Sequence, residues 1–153
     1  MKFICDFMLG KLTKYLRMCG YDTEFIKDIA DEKLLEIAQK ENRILLTRDK
    51  GLLQGKSVKN GTIKIVLVKE DKIKKQIQQL KDELKINTNI NLIRCIDCNS
   101  VLNEIKKENV KNLVPVYVFK TQENFLFCPV CKKIFWNGTH AENMRKFFSE
   151  NSF

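Results

Sequence analysis

A chain of 153 residues suits one ordinary domain, or a domain of about 90 residues with a small appendage, because typical domains run roughly 100–150 residues. An apolar share of 44% with 31% charged residues excludes a disordered tail, and no stretch reads as a membrane segment. The formal charge of +9 draws polyanions, nucleic acid first, although a lysine-rich composition also serves simply to keep a surface solvated.

The N-terminus, MKFICDFMLG, carries one lysine and a short apolar run that Asp6 interrupts. No small-residue cleavage site follows, so the expectation is a cytoplasmic protein rather than a secreted one. Lys2–Cys5 reads as a short strand. Met8, Leu9, Leu12, Tyr15 and Leu16 then recur at helical spacing until Gly20 supplies a stop. Thr23–Ile26 reads as a second strand and Asp31–Asn42 as a second helix, with acids in its first turn where the helix dipole favours them. Arg43–Thr47 is nearly all apolar, as a central strand covered on both faces should be. A short helix is expected around Asp49–Gln54, and then a loop rich in Gly, Lys, Ser and Asn. Ile63–Val68 repeats the strand pattern, and a long polar helix from Glu70 to Leu84 shows Ile73, Ile77, Leu80 and Leu84 on one stripe. This alternation predicts an α/β fold, a three-layer sandwich around a mainly parallel sheet, in residues 1–90.

From Asn87–Asn91 the text turns polar and asparagine-rich, and a second module is expected over residues 91–153. Four of the six cysteines fall into two C-x-x-C pairs, Cys95 with Cys98 and Cys128 with Cys131. Two such turns can aim four thiolates at one Zn²⁺ and close a tetrahedral structural site. The alternatives are disulfides, which a cytoplasmic protein disfavours, or redox motifs, which sit at helix starts as neither pair here does. Val101 and Leu102 after the first pair, and Ile134 and Phe135 after the second, suggest the hairpins of a zinc ribbon, with Tyr117–Thr121 as a strand in the insert. Metal binding should supply much of this small module's stability. Cys5 and Cys19 read as small buried hydrophobes. Thr139 and Glu142 form a capping box, so a final helix is expected with His140 as its first residue, in a structural or phosphate-contacting role.

In a parallel α/β sheet, chemistry collects beyond the carboxyl ends of the strands. Asp6 follows the first strand and Asp49 the third, and Asp28, Asp31 and Glu32 follow the second. With no glycine-rich phosphate cradle and no nucleophile elbow, acids at one edge point to hard cations, Mg²⁺ or Mn²⁺, and to cleavage of phosphodiesters. Each acid also has a plain structural reading. Asp6 could cap the helix near Phe7, Asp49 the turn after its strand, and Asp31 could be an ordinary first-turn acid.

The pattern D-F-M-L-G-K-L-x-K-Y-L-R-M-x-G-Y-D-T, then D-E-x-L-L-x-x-A, then R-I-L-L-T-R-D, the two C-x-x-C pairs and W-N-G-T-H-x-x-x-M resembles the Mut7-C family, a PIN-like ribonuclease domain with a zinc ribbon. The resemblance covers nearly the whole chain. It implies a PIN-type fold, metal-dependent RNA cleavage, and an acidic cluster at Asp6, Asp31 and Asp49 as catalytic residues and Mg²⁺ or Mn²⁺ ligands. Arg48 would contact a substrate phosphate, and Cys95, Cys98, Cys128 and Cys131 would hold structural Zn²⁺. No clear fourth acid stands out, with Asp28 and Glu32 in reserve. The other expectation is a non-catalytic zinc-ribbon module that binds RNA within a ribonucleoprotein; a nuclease silenced by a protein partner is a third.

Overall fold

Strand β1, Lys2–Cys5, buries Phe3, Ile4 and Cys5 completely. A computed structural model describes it with the rest of residues 1–138 and Glu142. A 3-10 turn over Phe7–Leu9 leads into helix α1, Gly10–Met18, whose inward stripe includes Leu12, Tyr15 and Leu16. The helix stops as expected at Gly20, which takes a φ of +85° and donates its N–H to the Arg17 carbonyl at 2.9 Å. A Cβ at Gly20 would also stand 2.7 Å from the Asn91 side chain, so both conformation and space call for glycine there.

Strand β2, Asp22–Phe25, is followed by helix α2, Asp31–Lys40, and by Asn42 with a φ of +52°. Strand β3 is Ile44–Thr47. Another 3-10 turn, Gly51–Gln54, and a short helix α3, Lys56–Lys59, fill the segment expected to hold a short helix and a loop. Strand β4, Ile65–Leu67, and helix α4, Ile73–Leu84, complete the first half.

All four strands run parallel in the order β2-β1-β3-β4. Alternation along the strands sends neighbouring residues to opposite faces. Phe3, Cys5 and Leu46 pack with Leu12 and Leu16 of α1 and Ile77 and Leu80 of α4, whereas Ile4 and Leu45 pack with Leu34 and Ala38 of α2. Helices therefore cover both faces of the sheet, which explains why β1 and β3 are almost wholly apolar. Fully burying each large apolar side chain stabilises by about 1.5–3 kcal/mol. A shift of β1 against β3 would forfeit several such contributions at once, so the C-terminal ends of these two strands are held firmly.

The second half contains an antiparallel sheet of β5, Asn103–Ile105, β6, Phe125–Phe127, and β7, Ile134–Trp136, in that order. Between β5 and β6 lies a correction to the sequence reading. Tyr117–Thr121 is not a strand but part of helix α5, Val116–Thr121. Pro115 sits at the N-cap and accepts the Phe119 N–H at 3.0 Å, while both edges of β6 are already taken by β5 and β7. Val118 and Phe119 instead pack on Val110, Val114 and Phe125, so tertiary packing overrides their β propensity. The final helix expected from Thr139, with His140 as its first residue, lies outside the described residues.

The turn bearing Cys95 and Cys98 is fastened to β2, the edge strand. Arg17, only 5% exposed, donates Nε to the Thr23 carbonyl at 2.9 Å and Nη1 to the Ile96 and Asp97 carbonyls at 3.1 and 2.9 Å. Asn99 Oδ1 accepts the Thr23 N–H at 2.9 Å, and its Nδ2 donates to Asp22 Oδ1 at 2.8 Å and Glu24 Oε1 at 3.1 Å. An edge that would otherwise offer free backbone groups to another chain is thereby closed. Among the described residues no helix is long and apolar enough to cross a membrane.

Candidate active site and metal centre

The strand order changes direction at β1: the chain passes from β1 to β2 on one side and then returns to β3 on the other. A crevice opens at such a switch point, beyond the carboxyl ends of the strands. Because β1 and β3 are direct neighbours, pairing Cys5 with Leu46, Asp6 and the Thr47–Arg48–Asp49 segment emerge together there.

Asp6 is buried, 5% exposed, and both of its carboxylate oxygens accept hydrogen bonds. Oδ1 accepts the Met8 N–H at 2.9 Å, capping the 3-10 turn, and Oδ2 accepts the Arg48 N–H at 2.9 Å and the Thr47 hydroxyl. The same Thr47 Oγ1 accepts the Asp49 N–H at 2.9 Å, so one hydroxyl joins the two aspartates. Asp49 is exposed, and its Oδ1 accepts the Gly51 N–H at 2.7 Å. Asp31, at the first turn of α2, is also exposed, as are Asp28 and Glu32, the acids held in reserve. Asp6, Asp31 and Asp49 thus share one edge of the sheet, but no three carboxylates among the described residues bring oxygens within 4.8 Å of one another.

Arg48 projects from the same edge and pairs with Asp71, in the loop between β4 and α4. Asp71 was missed in the sequence, although the rule that singled out Asp6 and Asp49, an acid beyond a parallel strand's end, applies equally to an acid after β4. In the sequence Thr47 reads only as the end of a strand; in the structure its hydroxyl contacts both the Asp6 carboxylate and the Asp49 backbone. A cavity of about 830 Å³ opens beside Arg48 and Asp71, lined also by Met8, Lys11 and Lys72.

The second site is the cysteine set. Sγ atoms of Cys95, Cys98, Cys128 and Cys131 all lie within 4.8 Å of one another, with close approaches of 3.2–3.4 Å. That is far beyond a disulfide bond of about 2.05 Å and near the edge of a tetrahedron with metal–sulfur bonds of about 2.3 Å. Burial and the adjoining sulfurs of Cys128, Cys95 and Cys98 push the Cys131 thiol well above its usual range. Against burial, hydrogen bonds from Ser100 and Cys131 draw Cys128 down to about 6. Four thiolates so close repel unless a cation sits among them, so the donor set fits one Zn²⁺. Ser100, which the sequence did not single out, contacts both Cys98 Sγ at 2.8 Å and Cys128 Sγ at 3.1 Å. Cys5 and Cys19 are buried among the core residues, as expected, and burial pushes their thiols up to about 12 and about 11, which leaves them unreactive.

Comparison with known proteins adds one match. A family model described as the Mut7-C RNAse domain matches residues 1–148. No curated protein and no solved structure matches the chain.

Proposed function

Since the chain belongs to the Mut7-C RNAse domain family, we propose that it is a metal-dependent ribonuclease of PIN type that hydrolyses RNA phosphodiester bonds at the β1/β3 edge. The observation that carries this reading is the junction at the sheet's switch point, where the Thr47 hydroxyl donates to the Asp6 carboxylate and accepts the backbone N–H of Asp49. The donor set fits Mg²⁺ or Mn²⁺: these ions take oxygen ligands, keep much of their water, and are commonly held by one or two carboxylates together with substrate phosphate. Asp6 and Asp49 would hold the ion, with Asp31 reaching it from the same edge. Bound there, the ion supplies an activated water and neutralises charge on the scissile phosphate.

The protein's own residues do the rest. Thr47 and the Met8 and Arg48 backbone N–H groups hold the Asp6 carboxylate in one orientation. Asp49 stands outside, where water and substrate reach it. Arg48 offers a guanidinium to a phosphate oxygen once Asp71 yields it. The four cysteines hold Zn²⁺ in a zinc-ribbon module, residues 91–153, that supports the edge strand of the nuclease domain, residues 1–90, and adds to RNA binding.

A second reading has its own observation. Asp6 and Asp49 make the very capping bonds expected of purely structural acids, to Met8 and Gly51. The protein would then be a non-catalytic RNA-binding module of a ribonucleoprotein. Cleavage of a labelled RNA with Mn²⁺ separates the two. Asp49→Asn should retain the wild-type circular dichroism and lose cleavage by about a hundredfold or more, the range for a group that stabilises transition-state charge. Equal cleavage by the variant would remove Asp49 from the mechanism. Salt-dependent RNA binding with no metal-dependent cleavage by wild type would favour the binding module.

A further inference from the structure

The cavity beside the proposed active site is lined by more cations than the acidic edge itself would require. Lys11 at the start of α1, Lys72 just before α4, Lys74 and Lys75 in the first turn of α4, and Arg48 all line it. Among the described residues Lys11 and Lys72 have no carboxylate partner and both are exposed. Lys75 lies 3.7 Å from Glu70. The one acid in the lining is Asp71, and it pairs with Arg48.

We propose that this groove takes the backbone of a single-stranded RNA next to the cleaved bond, with Lys11 and Lys72 as phosphate anchors, and that Asp71 occupies Arg48 until a substrate phosphate displaces it. The inference rests on RNA being the chain's ligand, as the proposed function has it. Asp71 is 83% exposed and Arg48 only 28%, so the acid can swing into water while the guanidinium stays in the groove. Arg48 is also anchored through its backbone, whose N–H donates to Asp6 at 2.9 Å, so the phosphate it captures is placed beside the acidic edge. The volume of about 830 Å³ accommodates a nucleotide together with its flanking phosphate. Met8, 50% exposed, offers an apolar surface on which a base can lie. Asp71 is a positioning residue in this account: it acts through Arg48.

The test measures binding of a fluorescein-labelled oligouridylate to the full chain by anisotropy, over a series of KCl concentrations and without added Mg²⁺ or Mn²⁺, so that no cleavage or catalytic-metal effect enters. Asp71→Asn should bind about two- to fivefold more tightly, the scale set by an exposed ion pair. That gain should vanish in the Asp71→Asn, Arg48→Gln double variant. Lys11→Gln with Lys72→Gln should lower the slope of log affinity against log salt by about 0.7 for each lost phosphate contact. All the substituted groups lie at the surface, and unchanged thermal unfolding confirms that each variant folds. Unaltered binding and slope in the lysine variant, or weaker binding in Asp71→Asn, would overturn the proposal. Cleavage assayed in parallel with Mn²⁺ keeps the two claims apart. A wild type that binds through the groove and cleaves nothing upholds the groove while the nuclease reading falls; cleavage with the groove variants binding as wild type does the reverse.

Discussion

Thr47 shows how one side chain can bind two strand ends into a single site. Its hydroxyl donates to Asp6 and accepts from the Asp49 backbone, while the residue itself is fully buried. Thr47→Val keeps the shape and removes both bonds. Asp6, buried, would lose one of its donors, and the Asp49 N–H would lose its acceptor, so the variant should be less stable by about 1–3 kcal/mol. Urea unfolding checks this, and cleavage should fall with it because Asp49 is no longer held to Asp6. A variant of unchanged stability would mean that the hydroxyl is not what joins the two acids. None of this could be read from the string T-R-D. The acids were visible because they follow apolar runs, but the threonine looked like any β-branched residue ending a strand. Which donors reach a carboxylate depends on the register between β1 and β3, and a linear pattern does not specify that register.

At the scale of elements, the join between β2 and the first cysteine turn is the structural feature with the clearest electrostatic signature. Although its partial burial opposes ionisation, hydrogen bonds from Arg43 and Asn99 and the charges of Arg43 and Arg94 hold the Asp22 carboxyl below its usual range. Arg43 reaches it at 2.7 Å and Arg94 at 3.7 Å. A carboxylate depressed in the folded state binds fewer protons there than in the unfolded chain, so the unfolded state gains protons first as pH falls. Its contribution is therefore complete above the unfolded value of about 3.9 and is lost as pH drops through that value and on through the lower folded one. Asp22→Asn should be less stable than wild type at neutral pH, and the two unfolding curves should draw together below about pH 4. Curves separated by a constant amount at every pH would show that Asp22 carries no such linkage. The strands and helices on either side of this join were largely legible from period and stop signals. The join itself was not, because Asn99 lies 77 residues from Asp22 in the chain, and Arg17, Asp22 and Asn99 each look like an ordinary surface residue.

For the whole molecule, the order of elements in residues 1–90 could be read because β1 and β3 bury both faces and α1, α2 and α4 each bury one. Hydrophobic period then tracks structure directly. Reading failed at Tyr117–Thr121, where aromatic and β-branched residues pack as helix α5 because β6 already has both its neighbours. The four cysteines were legible through spacing alone, since two short turns suffice to place their sulfurs. The acidic edge is the intermediate case. The Asp6 carboxylate and the Asp49 backbone N–H meet at Thr47, and Asp31 is exposed on the first turn of α2, the helix that follows the neighbouring strand β2. Whether these acids hold a cation is the claim on which the nuclease reading stands. The most direct measurement is a crystal of the protein soaked in Mn²⁺, with anomalous scattering recorded at the manganese edge. The account predicts a peak coordinated by Asp6 and Asp49, directly or through water, on the side facing Asp31. Manganese absent from that edge at saturating concentration, with the fold intact in the same crystal, would contradict it.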